Sequence, residues 1–209
     1  MMHVRVSLIT TDPQVLAGCI GYLETEAGPV LASQHGSLGL SLLTGQEGAV
    51  AIVESFWARH DALWLSAEAD ALVRGELARR VKRPVTAEDY EVPVFERGTP
   101  LRGGEAVRLT RVQVKPPGVL DVIDVYGDTA VPWLADTPGF RGALLFAAPA
   151  RGQLISQTVW RDAAARAASP GLADMIRSEV LAEEGCEIRA DEDYGLIFNS
   201  VRKATVPPE

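Results

Sequence analysis

His60 is a histidine, the residue type that can move a proton near neutral pH. An imidazole titrates at about pH 6.5, so it can take the proton of an acidic hydroxyl and release it again. It follows Trp57 by three residues, which places a titrating group next to a large aromatic side chain. The same position also suits an exposed polar residue that begins a helix, so the choice depends on the elements around it.

The sequence lacks the motifs of several large enzyme classes. It has no glycine-rich dinucleotide loop, no P-loop, no HExxH zinc motif and no GxSxG nucleophile elbow. Cys19 and Cys186 lie far apart and belong to no disulfide framework or zinc-ligand spacing. We therefore expect no metal and no bound cofactor.

Composition and charge exclude further classes. The chain has 209 residues, of which 47% are apolar and 23% charged, proportions typical of a globular protein. Acidic residues outnumber Lys and Arg by 28 to 20, the net charge is -8, and no basic run offers a surface for phosphates. No window of about 18 apolar residues could span a bilayer. The sequence therefore predicts neither a nucleic-acid partner nor a membrane protein.

Two features bear on localisation. Residues Leu16 to Cys19 resemble a lipoprotein cleavage box, but Asp12 and Pro13 interrupt the apolar stretch that a signal peptide requires before it. Two cysteines without a disulfide pattern suit a reducing compartment. We expect a cytoplasmic protein.

The strongest pattern in the sequence is an internal duplication. Shifting the sequence by 103 residues gives 15 identities over positions 4 to 66, several times the number that chance produces. The matches that coincide least often by chance are Pro13/Pro116, Pro29/Pro132, Gly36/Gly139, Gly39/Gly142 and Trp57/Trp160. Further on, Asp89-Tyr90 matches Asp193-Tyr194 at an offset of 104. We predict two domains, residues 1–97 and 105–209, joined by a short linker.

Each copy predicts the same order of elements. Alternating β-branched residues favour a strand at 3–10, and apolar residues at helical spacing favour a helix from Pro13 to Leu31. Two apolar runs around a Gly-rich turn predict a hairpin, a second helix follows from Asp61, and a last strand spans Tyr90 to Phe95. The second copy predicts a strand at 107–114, a helix at 117–136, a hairpin at 140–160, a helix to about 184 with a break at Ser169 and Pro170, and a strand at 187–198.

The order βαββαβ is that of a ferredoxin-like unit, in which helices cover one face of a four-stranded antiparallel sheet. The third strand is apolar on both faces, with Ile52 and Phe56 on one side and Val53 and Trp57 on the other. A sheet of this kind must pack against helices and against a second sheet. The predicted fold is therefore α+β, with two tandem ferredoxin-like βαββαβ repeats packed sheet to sheet.

Short motifs around the predicted hairpins resemble a known family. These are Pro138 to Gly142 before the second strand, and a Trp that ends the third strand in Phe56-Trp57 and Val159-Trp160. They are similar to motifs of the dimeric α+β barrel superfamily and, within it, of antibiotic-biosynthesis-monooxygenase-like (ABM-like) proteins. The resemblance covers nearly the whole chain as two fused copies. It implies an intramolecular dimeric α+β barrel, in which two sheets close on each other with the helices outside.

The resemblance also implies a role for the two tryptophans. Family members include cofactor-independent oxygenases of aromatic polyketides, haem-degrading enzymes and proteins without known activity. The oxygenases carry a pocket tryptophan at the place of Trp57 and Trp160, where it would contact a flat aromatic ligand. The alternative for each Trp is an aromatic core residue that closes the end of the barrel.

Haem cleavage does not fit the residues at the corresponding positions. The haem-degrading branch needs an Asn on the first strand and a haem-ligating His about ten residues after the Trp. The positions concerned hold Ser7 and Ala67 in the first copy, and Thr110 and Pro170 in the second. The resemblance therefore favours the oxygenase branch.

The expected function is that of a cofactor-free monooxygenase-like protein that binds or oxidises a small phenol, anthrone or quinone-type compound. Trp57 and Trp160 would shape the pocket, and His60 or a water would act as the base. The alternative is a non-catalytic ligand-binding or scaffold protein of the same fold, because polar residues near the tryptophans differ between the copies, as at His60 and Ala163. In either case the pseudo-dimers could pair into a homo-oligomer.

Charged residues on the predicted strands offer one more candidate site. Arg5 and Glu54 lie on strands that are neighbours in this fold, and the second copy places Arg108 opposite Gln157. Arg5 and Glu54 could form an ion pair that orients a substrate, or a structural pair across the two strands.

Overall fold

A computed structural model describes residues 1–98, 100–116, 118–169 and 186–202. In the first half of the chain the elements are β1 (Met2–Thr10), α1 (Pro13–Tyr22), a π-helical turn (Leu23–Ala27), α2 (Gly28–Ala32), β2 (Ser37–Gly45), β3 (Val50–Trp57), α3 (His60–Leu65), α4 (Ala67–Val81) and β4 (Thr86–Arg97). This is the order of strand, helix, hairpin, helix and strand that the sequence predicts.

The described part of the second half repeats this order. Its elements are β5 (Ala106–Gln113), α5 (Val119–Val125), a π-helical turn (Tyr126–Ala130), α6 (Val131–Ala135), β6 (Phe140–Ala148), a 3-10 turn (Pro149–Arg151), β7 (Gln153–Trp160), α7 (Ala163–Ala168) and β8 (Glu187–Asn199). α7 ends at Ala168 and Ser169 follows it with an extended backbone, and the predicted helical continuation from Pro170 to about residue 184 lies outside the described residues.

The eight strands form one closed antiparallel barrel with the order β1-β3-β2-β8-β5-β7-β6-β4. β1 pairs with β3, and β5 pairs with β7, each over eight consecutive residue pairs. The second hairpin strand of each repeat therefore lies between the first strand and the first hairpin strand of that repeat, as in a ferredoxin-like unit. The predicted α+β fold of two tandem ferredoxin-like repeats is confirmed.

The chain divides into two compact units. Unit 1 comprises Met1–Tyr90 and Ile197–Glu209, and unit 2 comprises Glu91–Leu196. Within unit 2, the second half of β4 pairs with β6. Within unit 1, the backbone N–H of Ser200 donates to the carbonyl oxygen of Leu40 at 2.8 Å. Each unit thus contains the end of the last strand of the other repeat. The predicted domains 1–97 and 105–209 describe the two sequence repeats, and their boundary stays a prediction.

The first helix of each repeat contains a π-helical turn at the same place. In the first repeat the N–H of Gly28 donates to the carbonyl oxygen of Leu23, five residues earlier. Pro29 follows directly, and Pro132 holds the same place in the second repeat. Because a proline lacks an N–H and its ring clashes with the carbonyl one turn earlier, the wider turn accommodates it. The matched prolines therefore have a structural role.

Each unit buries its own apolar core between helices and sheet. In unit 1, side chains at helical spacing on α1 meet the alternating side chains of β2 and β3. In unit 1 the helical set is Leu16, Cys19 and Leu23, and the strand set is Leu40, Leu42, Ala51 and Val53. In unit 2 the helical set is Val119, Val122 and Tyr126, and the strand set is Ala143, Leu145, Ala147 and Leu154. In each unit the apolar faces of the helices and of the sheet therefore form one buried layer.

Matched glycines fix the start of the hairpin in each repeat. Gly36 and Gly139 have φ angles of 76° and 90°, a region that favours glycine. A Cβ at Gly36 would lie 2.5 Å from the Cβ of Ala62, and a Cβ at Gly139 would lie 2.5 Å from the Cβ of Ala165. Each glycine carbonyl oxygen also accepts a hydrogen bond from the residue after the strand-ending Trp, at 2.8 and 2.7 Å. The two matched glycines therefore allow the start of each hairpin to pack closely against the helix that follows it.

Replacing Gly39 by Ala is expected to lower the free energy of unfolding by about 2 to 4 kcal/mol. Its φ is +120°, and an added Cβ would lie 2.5 Å from the carbonyl oxygen of Ser200. Gly75→Ala in α4 is the control, because nothing lies within 4 Å of its added Cβ and Ala favours a helix by up to about 1 kcal/mol. Urea denaturation measures both variants, and equal stability would contradict the close approach.

Candidate functional site

Polar side chains gather on the helix-facing side of the unit 1 sheet, beside the end of β3. Side chains alternate across a strand, so every second cross-strand pair of β1 and β3 shares one face. On this face the pairs are His3–Trp57, Arg5–Ser55, Ser7–Val53 and Ile9–Ala51. Ile9, Ala51 and Val53 belong to the core that packs against α1 and α4. The face is therefore apolar at one end and polar at the end that carries Trp57.

Trp57 lies within this layer and is 0% exposed. Its indole Nε1 donates a hydrogen bond to Ser55 Oγ at 3.2 Å. Ala62 and Leu63 of α3 pack with it as a separate apolar cluster. The indole is thus oriented by one hydrogen bond from its own strand and by the helix above it.

Arg5 is the buried cation of the same layer, with 8% of the residue exposed. Its Nε and Nη2 donate to the two carboxylate oxygens of Asp89 at 2.7 and 2.8 Å, a bidentate pair. Its Nη1 lies 3.3 Å from Oδ2 of Asp70, an oxygen that also accepts from Arg74 Nε at 2.5 Å. The hydrogen bond to Asp89 raises the pKa of Arg5 against the opposing effect of burial. The cluster links β1, α4 and β4.

The predicted pair between Arg5 and Glu54 is wrong. The register of β1 and β3 sets Glu54 opposite Val6, and Ser55 opposite Arg5. Since neighbouring positions on a strand face opposite ways, Arg5 and Glu54 lie on opposite faces of the sheet. The carboxylates that bind Arg5 come from α4 and β4 instead.

His60 is the first residue of α3 and is exposed. Its ring centroid lies 5.3 Å from that of His3, with an angle of 62° between the ring planes. The structure therefore places His60 at the surface, whereas Trp57 lies in the interior. The role of His60 as a base stays a prediction.

Unit 2 contains the counterpart of this layer, with Trp160 at the end of β7. Trp160 is 1% exposed, and its Nε1 donates to Thr158 Oγ1 at 3.0 Å. The ring of Phe140 meets the indole edge to face at a centroid distance of 5.7 Å. Arg108 lies opposite Thr158 and not opposite Gln157, so that predicted pair is also wrong. The hydrogen bond from indole to strand hydroxyl is common to both repeats.

The ion pairs of the two units differ. Asp193, which matches Asp89, has one oxygen 3.7 Å from Arg108 Nε and the other 2.9 Å from Arg166 Nη2. Its carboxylate therefore serves two arginines, whereas both oxygens of Asp89 bind Arg5. The charged groups near the two tryptophans are thus related but not equivalent.

A buried pair of hydroxyl groups further distinguishes unit 2. Ser156 Oγ donates to Tyr126 Oη at 3.0 Å, and Tyr126 Oη donates to the carbonyl oxygen of Leu144 at 3.3 Å. Burial raises the pKa of Tyr126 well above its usual value. The first repeat has Leu23 and Val53 at the corresponding positions. The two layers therefore present different polar groups.

Solved structures with the same arrangement show which fold this is. An anthrone oxidase-like protein superposes with a TM-score of 0.68 at 19% identity, over 95% of this chain and 92% of that chain. A Listeria monocytogenes ferredoxin fold protein related to antibiotic biosynthesis monooxygenases superposes on this chain with a TM-score of 0.55, at 10% identity over 94% and 95% of the two chains. This chain therefore has the dimeric α+β barrel fold, closed within one chain. The predicted resemblance is confirmed for the fold.

Relatives in sequence extend over the whole barrel. An uncharacterised protein of Mycobacterium tuberculosis, found in the strains CDC 1551 / Oshkosh and H37Rv, is 24% identical over 203 residues. The match covers 97% of this chain and 86% of that protein. No family model matches the chain. The comparisons therefore show the fold of this chain.

Asp70 and Asp89 are partners of Arg5 that the sequence did not predict. The duplication contained a signal for one of them, because Arg5 and Asp89 recur in the second copy as Arg108 and Asp193. No local spacing could show it, since 84 residues separate Arg5 from Asp89. Only strand pairing brings the two side chains together.

The polar groups of the two layers are hydroxyls, guanidinium groups and carboxylates, which bind organic ligands through hydrogen bonds. Within the part of the chain that the structure describes, no group of three or more His, Cys, Asp and Glu side chains is arranged to hold a metal ion. None of the described helices is long and apolar enough to cross a bilayer.

Proposed function

We propose that this chain is an ABM-like, cofactor-independent monooxygenase that acts on a small aromatic compound of the phenol, anthrone or quinone type. One observation carries the proposal. In unit 1 an otherwise apolar helix-to-sheet layer becomes polar beside a strand-ending indole, where Trp57 binds Ser55 and Arg5 lies opposite Ser55. An aromatic wall next to a few convergent polar groups is typical of small-ligand sites. The likeness to an anthrone oxidase-like protein supports the choice of substrate class.

The proposed reaction needs no metal, flavin or haem. An anthrone loses the proton of its enol form, and the resulting electron-rich anion passes one electron to O₂. The two radicals combine into a peroxide anion, which takes the proton back to give a hydroperoxide, and the hydroperoxide loses water to leave a quinone. Overall one anthrone and one O₂ give one anthraquinone and one water. In this scheme Trp57 and Trp160 shape the pockets of their units, and His60 or a water takes the proton.

The proposal extends to the location and partners of the protein. We expect a cytoplasmic protein whose partner is a small aromatic molecule, with no nucleic-acid partner and no membrane association. The barrel lies within one chain, so two such pseudo-dimers could pair into a homo-oligomer. The acidic composition, with a net charge of -8, supports the absence of a nucleic-acid surface.

A second candidate is a non-catalytic binding or scaffold protein with the same barrel. It is favoured by the complete burial of both indoles, at 0% and 1% exposed, since pure packing would preserve them equally well. The difference between the two layers also favours it, because Tyr126 and Ser156 of unit 2 replace Leu23 and Val53 of unit 1. Two equivalent active sites would be expected to keep the same polar groups.

Oxygen uptake with an anthrone, in buffer free of metal and flavin, is expected to exceed the spontaneous rate. His60→Ala is expected to lower that rate by about 10²-fold, the lower end of general-base effects. His35→Ala is the matched control, because His35 is an exposed histidine of unit 1 outside the layer. An oxygen electrode and the quinone absorbance measure the same turnover. A wild-type rate no higher than the spontaneous one would reject the enzymatic function for this substrate class.

A further inference from the structure

Three large apolar side chains of α3 and α4 are directed into solvent. Trp64 and Leu65 of α3 are 68% and 67% exposed, and Leu72 of α4 is 71% exposed. Single apolar side chains are common on protein surfaces, whereas a group of them on adjoining helices is typical of a protein interaction site. These three residues therefore indicate a contact surface on unit 1.

The fold itself does not require these side chains. At the offset of the duplication, Trp64 and Leu65 match Ala167 and Ala168, which end α7 and are exposed in the same way. The second repeat thus forms the equivalent helix with two alanines, the residue that favours a helix most. The large apolar groups of the first repeat therefore serve something other than the packing of their own helix.

The exposed apolar residues belong to one continuous side of α3 and α4. Ser66 joins the two helices with right-handed helical backbone angles, so residues three or four positions apart share a side across both helices. One side is buried and includes Leu63, Asp70, Val73, Leu77 and Val81. We call the opposite, exposed side the outer face; it includes Trp64, Leu65, Glu68, Leu72, Gly75 and Arg79.

Charge is distributed unevenly along the outer face. Glu68 lies in the first turn of α4, and Arg79 lies in the last turn, with Leu72 between them. Arg79 bonds Glu76 of its own helix through Nε and Nη2, but its side chain is 73% exposed. A guanidinium has five N–H donors, so Arg79 can bind a second carboxylate from outside. The outer face of α4 thus has an acidic end, an apolar middle and a basic end.

We propose that the outer face binds the outer face of a second copy of this chain, with the two α4 helices antiparallel about a twofold axis. In a twofold contact a patch meets itself, so each of its residues must face a complementary residue of the same patch. Glu68 and Arg79 lie at equal distances from one point on α4, and so do Leu72 and Gly75. Each Glu68 therefore faces Arg79 of the second copy, and each Leu72 faces Gly75.

The space at Gly75 suits this contact. A Cβ added at Gly75 would meet nothing within 4 Å in the described part of the chain, so the helix surface is open and bare there. The side chain of Leu72 from the second copy can then lie directly on the backbone of α4, which lets the two helices approach closely. The apolar middle of the face is therefore complementary to itself in shape.

The ends of the outer face favour the same direction. In the antiparallel arrangement, the exposed Trp64 approaches the end of the partner helix that is followed by Lys82 and Arg83, where a cation can lie over the indole. A parallel arrangement would place Glu68 against Glu68 and Arg79 against Arg79, and like charges repel. The inference goes beyond the proposed function and holds whether or not the chain is catalytic.

Sedimentation velocity at chain concentrations of about 1 to 300 µM, in about 0.15 M salt, tests the proposal. We expect the wild-type chain to dimerise with a Kd of about 1 to 100 µM, because one helix side per copy is less than the roughly 800 Å² of a standard interface. Leu72→Glu is expected to raise the Kd at least about 100-fold, because it buries two unpaired charges at the centre of the contact. Leu120→Glu is the matched control at an exposed leucine of α5, and it should change the Kd less than about twofold.

Two charge variants test the direction of the helices. Glu68→Arg and Arg79→Glu each replace two attractive pairs by two repulsive ones, so each variant alone is expected to raise the Kd at least about tenfold. An equimolar mixture of the two variants should form a heterodimer with a Kd within about threefold of wild type, because every facing pair again has opposite charges. Both positions are exposed, and far-UV circular dichroism checks that each variant is folded.

The outcomes are distinct. Loss of the dimer in each single variant and its return in the mixture support the proposal, since two chains that only fold poorly would not restore each other. A wild-type chain that stays monomeric rejects a second copy as the occupant and leaves the outer face to a different protein. A dimer that survives Leu72→Glu, or one that neither charge variant weakens, overturns the antiparallel contact.

Discussion

Replacing Trp57 by Ala is expected to lower the free energy of unfolding by about 3 to 5 kcal/mol. The indole is fully buried and packs with Ala62 and Leu63, so truncation removes its contacts and leaves a cavity that the layer can fill only in part. The Ser55 hydroxyl also loses its hydrogen-bond donor. Because a domain is stable by only about 5 to 15 kcal/mol, chemical denaturation should show a large shift of the midpoint.

Trp57→Phe is the control for this prediction. It keeps most of the aromatic surface and removes the Nε1–H, so a loss of about 1 to 2 kcal/mol is expected. Trp160→Ala should match Trp57→Ala, because burial and the hydrogen bond to a strand hydroxyl recur in unit 2. A loss below about 1 kcal/mol for Trp57→Ala would contradict the packing role and favour ligand contact as the function of this indole.

Replacing Asp70 by Ala is expected to lower the free energy of unfolding by about 3 to 5 kcal/mol, the range for removing one partner of a buried ion pair. Asp70 is 3% exposed and its Oδ2 contacts both Arg5 and Arg74. Without it, Arg5 keeps its bidentate pair with Asp89, but its buried Nη1 loses the carboxylate that lies 3.3 Å away. Urea denaturation at neutral pH measures the loss.

Glu76→Ala is the comparison for the Asp70 variant. Glu76 also bonds two arginines of α4, Arg79 and Arg80, but its side chain is 26% exposed, whereas that of Asp70 is 4% exposed. Exposed ion pairs contribute little because water screens them, so a much smaller change is expected. Equal losses for Asp70→Ala and Glu76→Ala would mean that burial does not strengthen the Arg5 cluster.

The polar groups of the candidate site were predictable only in part. Trp57, Trp160 and Arg5 stand out in the sequence because the duplication repeats them, and Asp89 recurs with them. Their partners did not stand out, because a hydrogen bond such as that from Arg5 to Asp89 joins residues 84 positions apart. The register of β1 and β3 also decides which side chains share a face of the sheet. Ser55 lies opposite Arg5, whereas Glu54, one residue earlier, lies opposite Val6.

The sequence by itself determined the order βαββαβ, its duplication and the packing of one sheet on the other, and its resemblance to ABM-like proteins implied the closed α+β barrel. Periods of two and of about 3.6 residues distinguish strands from helices, and a strand that is apolar on both faces requires cover on both sides. The tertiary structure alone decided that Asp70 and Asp89 hold Arg5, that His60 is exposed while Trp57 is buried, and that each unit contains the end of the other repeat's last strand. These depend on strand pairing and register, which bring together residues that no local spacing connects.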